Sequence, residues 1–217
     1  MAAIRVCKMR VSARLLIVAA ACLLPLSVAA AASVSIDDVV EETFPEFSIS
    51  PPTPTMLTVC HGFGCRYRAE VALTSADRAK LTQILAAGRA SAAAERRAIA
   101  AAGAWFDRRI ASAAGTQHHV ARAGMSHMFD EGQFDCIDTS RNTTGLLLVL
   151  EELKLLRYHD VDVPVARGYL LDGSTTPHVT AVLSERKAGQ KWAVDAWTRS
   201  YGQAPEIMPL EQWQSSD

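Results

Sequence analysis

The chain has 217 residues, of which 49% are hydrophobic and 21% charged, with 22 Lys+Arg against 23 Asp+Glu. Four of the 22 cations, Arg5, Lys8, Arg10 and Arg14, precede an apolar run at residues 15–28, leaving 18 against 23 acids beyond it, a charge near −5. The longest basic runs there are Arg96-Arg97 and Arg108-Arg109, both on expected helix faces, which excludes nucleic-acid binding through a basic patch.

The basic start, the apolar run and the small residues 29–33 have the layout of a secretory signal peptide, assigned to residues 1–32 with cleavage after one of Ala30, Ala31 or Ala32. An apolar core of about 15 residues is short for a membrane span, which needs roughly 20. The mature protein is therefore expected to be periplasmic or secreted, with no stable membrane insertion after signal removal. A lipoprotein reading at Cys22 is disfavoured because Ala19-Ala20-Ala21-Cys22 lacks leucine three residues before the cysteine. Removing the signal takes Cys7 and Cys22 with it and leaves Cys60, Cys65 and Cys136. An odd number of cysteines outside the cytoplasm needs an explanation. Gly62 and Gly64 let the short loop Cys60-His61-Gly62-Phe63-Gly64-Cys65 close as a disulfide, which makes Cys136 the free thiol. Metal binding by this loop with His61 lacks a second ligand pair of matching form.

Residues 33–55 hold Pro45, Pro51, Pro52 and Pro54 without a sustained period and read as an extended leader; residues 56–217 read as one domain. Strand-like segments at 56–59 and 67–73 flank the cysteine loop and suggest a hairpin. Ser75 is the expected N-cap of a helix over 76–87 that ends at Gly88, and a second helix spans 91–114 with Ile99, Ala102, Phe106 and Ile110 on one face. A connection at 115–133 carries His118 and His119, expected to face solvent, and His127, a rival to any later histidine as a base. Residues 139–158 form a central helix with Leu146, Leu147, Val149, Leu150, Leu153 and Leu156 buried. Asp162-Val163-Pro164 ends the next connection, and strands are expected at 165–171, 178–184 and 191–197, joined by turns at Asp172-Gly173-Ser174 and Ala188-Gly189-Gln190 as an antiparallel meander. The tail from 201 reads as a cover whose Trp213 packs on the sheet. Helices first and strands later give an α+β fold, with the Cys136 helix packed on an antiparallel sheet.

The chemistry gathers at Phe134-Asp135-Cys136-Ile137-Asp138-Thr139, where a cysteine opens the central helix. The thiolate is the nucleophilic form, and helix N–H groups and an imidazolium both favour it. His178 and Asp195 lie on adjacent strand candidates, roughly opposite one another if the hairpin is in register, so the aspartate can orient the imidazole. Asp135 and Asp138 oppose ionisation of the thiol unless they turn away or bind a cation. The backbone N–H of Cys136 is the first expected oxyanion donor, with the Gln133 side chain a candidate second. The sequon Asn142-Thr143-Thr144 lies in the helix start and reads as structural.

Asp135-Cys136-Ile137-Asp138, Pro177-His178-Val179-Thr180-Ala181-Val182-Leu183 and Trp192-Ala193-Val194-Asp195 together resemble the transglutaminase-like branch of the papain-like cysteine hydrolases, nearest the bacterial transglutaminase-like cysteine proteinases. The resemblance covers residues 134–197. It implies a papain-like/transglutaminase-like core in which Cys136 is the nucleophile, His178 the base and Asp195 its orienter. It also implies a protein or peptide substrate cleaved through a thioester. No cofactor is required by the triad; some members bind calcium through acids around the cysteine, which Asp135 and Asp138 match, while Ile137 stands where a third acid is common. The same residues serve a transglutaminase-type acyl transferase or amidase, or a non-catalytic binding module on the same scaffold. Specificity is expected from the loops at 115–133 and 172–176.

Overall fold

A computed structural model describes residues 35–45, 49–168 and 177–216. Contacts divide the chain into Met1–Ala31 and Ala32–Asp217. The signal segment, and with it the expected cleavage site, lies outside the described residues, as does the 172–176 loop. Among the described residues no helix is long and apolar enough to cross a membrane.

The architecture is α+β, with two antiparallel sheets. Helix α1, Ile36–Thr43, is followed by the hairpin β1, Met56–His61, and β2, Tyr67–Ala72, then by α2, Ser75–Ala86, and α3, Ala92–Ala114. A short 3-10 helix at Met125–His127 leads to α4, Cys136–Glu152. Strands β3, His159–Arg167, β4, His178–Glu185, β5, Lys191–Asp195, and β6, Glu206–Pro209, form a four-stranded antiparallel meander in that order, and α5, Leu210–Ser215, closes the chain.

Local chemistry sets most of these boundaries. In α1 the Ser35 side chain accepts from the Asp38 N–H, and the Asp38 side chain accepts from the Ser35 N–H. That reciprocal cap starts a helix inside the stretch expected to be extended; all four of its prolines lie beyond the helix end. Thr74, not Ser75, caps α2, because Asp77 lies three residues after Thr74 and completes the same exchange. Gly115, at φ 69°, ends α3 in the left-handed conformation.

Helix α4 is the centre of the fold. Leu146, Leu147, Leu148, Val149 and Leu150 are all buried, which one apolar stripe would not produce. The helix meets β1 on one side and β3 and β4 on another, so nearly its whole circumference is covered. It stops at Glu152, short of the expected 158, and Lys154 turns left-handed at φ 58°. The chain then enters β3 under the control of Glu95 of α3, whose buried carboxylate accepts from the N–H groups of Arg157 at 2.7 Å, Tyr158 at 3.0 Å and His159 at 3.1 Å, and from His159 Nδ1 at 2.9 Å. Arg96 meets His159 Nε2 at 3.0 Å and pairs with Glu185 at 2.9 Å, fixing β3 and β4 to α3.

The meander differs from the expected one in two places. β3 begins at His159 and runs through Asp162-Val163-Pro164, with Pro164 at a register shift between Asp162 and Val165. Proline has no N–H to give the ladder and is tolerated on this edge strand where pairing is interrupted. The tail contributes a fourth strand and a helix, and Trp213 packs with Val182, Ala193 and Leu210 on one face of the sheet.

Candidate active site

Asp135 is the N-cap of α4 and Cys136 its first helical residue. Cys136 is half-buried, and α4 packs against β4, the strand that His178 opens; the Val179 N–H, next along that strand, acts to lower the Cys136 thiol. Ala181 pairs with Val194, and one further step places Asp195 opposite Thr180. His178, two residues along the same face, is therefore the diagonal neighbour of Asp195 and not its direct partner as expected. The diagonal still serves: His178 Nε2 lies 2.6 Å from Asp195 Oδ2.

Two tryptophans complete the pair. The Trp213 indole N–H donates to Asp195 Oδ2 at 2.9 Å, and the Trp197 backbone N–H donates to Oδ1 at 3.1 Å. Their rings flank the imidazole, with centroids 4.7 Å (Trp197) and 5.3 Å (Trp213) from that of His178. Trp197 is tied in turn to the 115–133 connection: its indole N–H donates to Ala123 O, and its carbonyl accepts from Arg122 N–H. His178 and Asp195 are buried, 4% and 2% exposed, and His178 Nδ1 is buried with no hydrogen-bond partner among the described residues, Cys136 included. Because Asp195 accepts at Nε2, the neutral imidazole carries its proton there and presents an unprotonated Nδ1.

Electrostatics push Asp195 and Cys136 in opposite directions. Burial acts to raise the Asp195 carboxyl, but donors from His178, Trp213 and Trp197 outweigh it and hold the group below its usual range. Burial is also the largest influence on the Cys136 thiol; with the Asp135 and Asp195 charges it pushes the thiol up to about 11, against the N–H groups of Val179 and of Cys136 itself. The helix start expected to favour the thiolate is present, yet desolvation and the two acids outweigh it.

The acids beside the cysteine are already engaged. Asp138, fully buried, takes the N–H of Cys65 at 2.6 Å on Oδ1 and that of Phe63 at 2.9 Å on Oδ2. Asp135 takes the N–H of Gly64 at 2.8 Å on Oδ2 and that of Asp138 at 2.8 Å on Oδ1. Burial and then the Asp135 charge raise the Asp138 carboxyl, against the pull of these N–H donors. Calcium wants six to eight oxygen ligands, whereas every carboxylate oxygen of this pair faces a backbone N–H and Ile137 offers no third acid. These residues do not fit a calcium site, and among the described residues no group of three or more His, Cys, Asp or Glu is arranged to hold a metal.

Cys60 and Cys65 form a disulfide, their Cα atoms 4.5 Å apart. Gln133, the candidate oxyanion donor, is buried; its amide donates to His118 O at 3.3 Å and accepts from Val120 N–H at 2.9 Å, so it braces the 118–120 loop. Asn142 is buried with both ends of its amide on the Cys60 backbone at 2.8 Å, in line with a structural role for the sequon. Of the tandem histidines, His118 is exposed as expected, but His119 is buried and meets Asp107 Oδ1 at 2.9 Å. His127 sits in the 3-10 helix, and no hydrogen bond joins its side chain to the Cys136 region among the described residues.

Trp213 packs on the sheet as expected, but the bonds that it and Trp197 make to Asp195 lie outside that expectation. The signals were weak: Leu210 and Trp213 at helical spacing, and a tryptophan two residues beyond an aspartate. A groove of about 280 Å³ is lined by Ile137 and Val179, the residues after Cys136 and His178, and by Ser140, Val163 and Pro164, with none of Cys136, His178 and Asp195 in its lining. Compared with protein-family models, with curated proteins and with solved structures, the chain has no significant match in any of the three.

Proposed function

We propose that the protein is an exported cysteine hydrolase with a papain-like/transglutaminase-like core that cleaves amide bonds of a protein or peptide through Cys136, His178 and Asp195. The observation that carries this reading is His178 at the start of the strand that packs on α4, its Nε2 fixed by Asp195 and its buried Nδ1 left without a partner among the described residues. A thiol held at about 11 is not a resting thiolate at neutral pH, so Cys136 attacks as His178 takes its proton. Sulfur bonds to the carbonyl carbon as the thiol proton moves to Nδ1. The tetrahedral oxyanion lies at the start of α4, where backbone N–H groups point outward. Collapse breaks the C–N bond, the imidazolium protonates the leaving amine, and a thioester remains. Water then gives a proton to His178 and attacks the thioester; the acid product leaves and the proton returns to sulfur. Throughout, Asp195 keeps Nε2 as the donor and stabilises the imidazolium.

The test is hydrolysis of a protein or peptide-library substrate by the mature chain, with products read by mass spectrometry. Cleavage is expected for the wild type and its loss in Cys136→Ala and His178→Ala; cleavage by Cys136→Ala at the wild-type rate overturns the proposal. One observation favours a second reading, the non-catalytic binding module: the same raised thiol is what an inert, buried cysteine would show. That reading predicts a folded wild-type protein whose Cys136 resists a small alkylating reagent.

A further inference from the structure

The loop between β1 and β2 is bound to the start of α4 and to the residues just before it. Cys60 exchanges both backbone groups with the Asn142 amide, and His61 Nδ1 lies 2.8 Å from Glu131 O. Gly62 N–H donates to Gln133 O at 2.9 Å, and the next three N–H groups reach Asp138, Asp135 and Asp138 in turn. The backbone shape is what allows this. Gly62, Phe63, Gly64 and Cys65 all have positive φ, 74°, 68°, 63° and 56°. In this tight turn the N–H groups of Phe63, Gly64 and Cys65 all meet the two carboxylates, a positively polarised nest of backbone N–H groups of the kind that binds anions. Phe63 and Cys65 pay a conformational cost for that shape, which is uncommon for non-glycine residues. The disulfide closes the loop across this turn.

We propose that this disulfide-closed nest is the positioning device for the nucleophile, standing where a divalent cation would otherwise have to neutralise Asp135 and Asp138. The two acids cap α4 and bracket Cys136, so whatever holds them sets where the sulfur sits relative to Val179 and His178. Here three backbone N–H groups, those of Phe63, Gly64 and Cys65, hold them. Asp135 and Asp138 are positioning residues in this account, and Phe63, Gly64 and Cys65 act through their backbone. The inference rests on Cys136 being the nucleophile, but its primary readouts need no substrate, so it can fail separately from the hydrolase reading.

The experiment uses the mature chain with three readouts: melting temperature, amide hydrogen exchange, and turnover where a substrate is in hand. Calcium at about 1 mM, the range of weak extracellular calcium sites, is expected to change neither melting nor exchange relative to a chelator. A calcium-dependent rise in melting temperature overturns the proposal. In Cys60→Ser/Cys65→Ser, the amides of Asp138 and Thr139 are expected to exchange at least about tenfold faster while those of α3 keep their protection, a local opening of the α4 start. kcat is expected to fall at least about tenfold with a smaller change in KM, since misplacing a catalytic group acts on the chemical step. Unchanged exchange at the start of α4 in the folded double variant overturns the proposal. Should that variant not fold, Asp135→Asn keeps a good N-cap and removes only the carboxylate oxygen that Gly64 meets; the same local loss of protection is expected, and its absence counts against the nest equally.

Discussion

Replacing Asp195 by asparagine probes the His178–Asp195 pair with almost no change of shape. Asp195 Oδ2 accepts from both His178 Nε2 and Trp213 Nε1, and Oδ1 accepts from the Trp197 N–H. An amide has one acceptor oxygen and one donor nitrogen, so three donors cannot all be satisfied. With the amide oxygen kept at the Oδ2 position, the NH2 faces the Trp197 N–H; with the amide flipped, it faces His178 and drives the imidazole proton to Nδ1, removing the base. A buried donor left unsatisfied costs about 1–3 kcal/mol, and a hydrogen bond to a charged group contributes about 1.5–3 kcal/mol. Together these predict a rise of about 3–5 kcal/mol in the acylation barrier, a fall of roughly 10²–10⁴ in kcat/KM. The assay is peptide hydrolysis, backed by the rate of Cys136 alkylation by iodoacetamide at neutral pH, which is expected to fall with it. A folded Asp195→Asn protein within twofold of wild type in both measurements refutes the reasoning.

Three further outcomes follow from other contacts. Glu95→Gln retains one acceptor oxygen for four N–H donors and loses the charge they share; a cost of about 3 kcal/mol, or roughly 6–12 °C in melting temperature for a domain of this size, is expected in thermal unfolding followed by circular dichroism. The Arg109 guanidinium, which meets Asp77 at 2.9 Å and 3.0 Å, holds that carboxyl at about 2, below its ordinary 3.8. A lowered folded-state value means the stabilisation is complete above the unfolded value and disappears as pH falls through the folded one. The difference in unfolding free energy between wild type and Arg109→Met is therefore expected to be constant above about pH 5 and to shrink toward pH 2; a difference unchanged down to pH 2 contradicts the pairing. Trp213→Phe keeps a ring beside His178 but removes the N–H to Asp195, so kcat is expected to fall by about tenfold, consistent with one hydrogen bond to a charged acceptor, with a smaller change in KM; an unchanged kcat contradicts the role given to the indole.

The parts of this site that could be read from the residues are those set by local rules. A cysteine ahead of an apolar helical repeat, two glycines between close cysteines and an antiparallel strand pair each have a short-range signature, and the α4 start, the disulfide and the β4–β5 hairpin follow from them. The departures arise where a distant partner decides. Nothing near Asp138 announces that its carboxylate will meet the N–H groups of Phe63 and Cys65, more than 70 residues away. His119 was expected in solvent because its neighbours are polar, but Asp107 on α3 gives it a buried partner. Pro164 suggested the end of a connection, and an edge position with a register shift instead let β3 run through it. The four prolines after residue 44 concealed α1, whose start depends only on the Ser35 and Asp38 exchange. β6 was hidden for a related reason, since four residues carry too little periodicity to mark a strand.

The central claim is that His178 activates Cys136, and the most direct measurement is the mass of the mature protein after incubation with a peptide bearing an electrophilic ketone in place of its scissile amide. One adduct, mapping to Cys136, is predicted for the wild type, with none forming on the same timescale in His178→Ala. An unmodified wild-type protein, or an adduct forming equally fast in folded His178→Ala, contradicts the account.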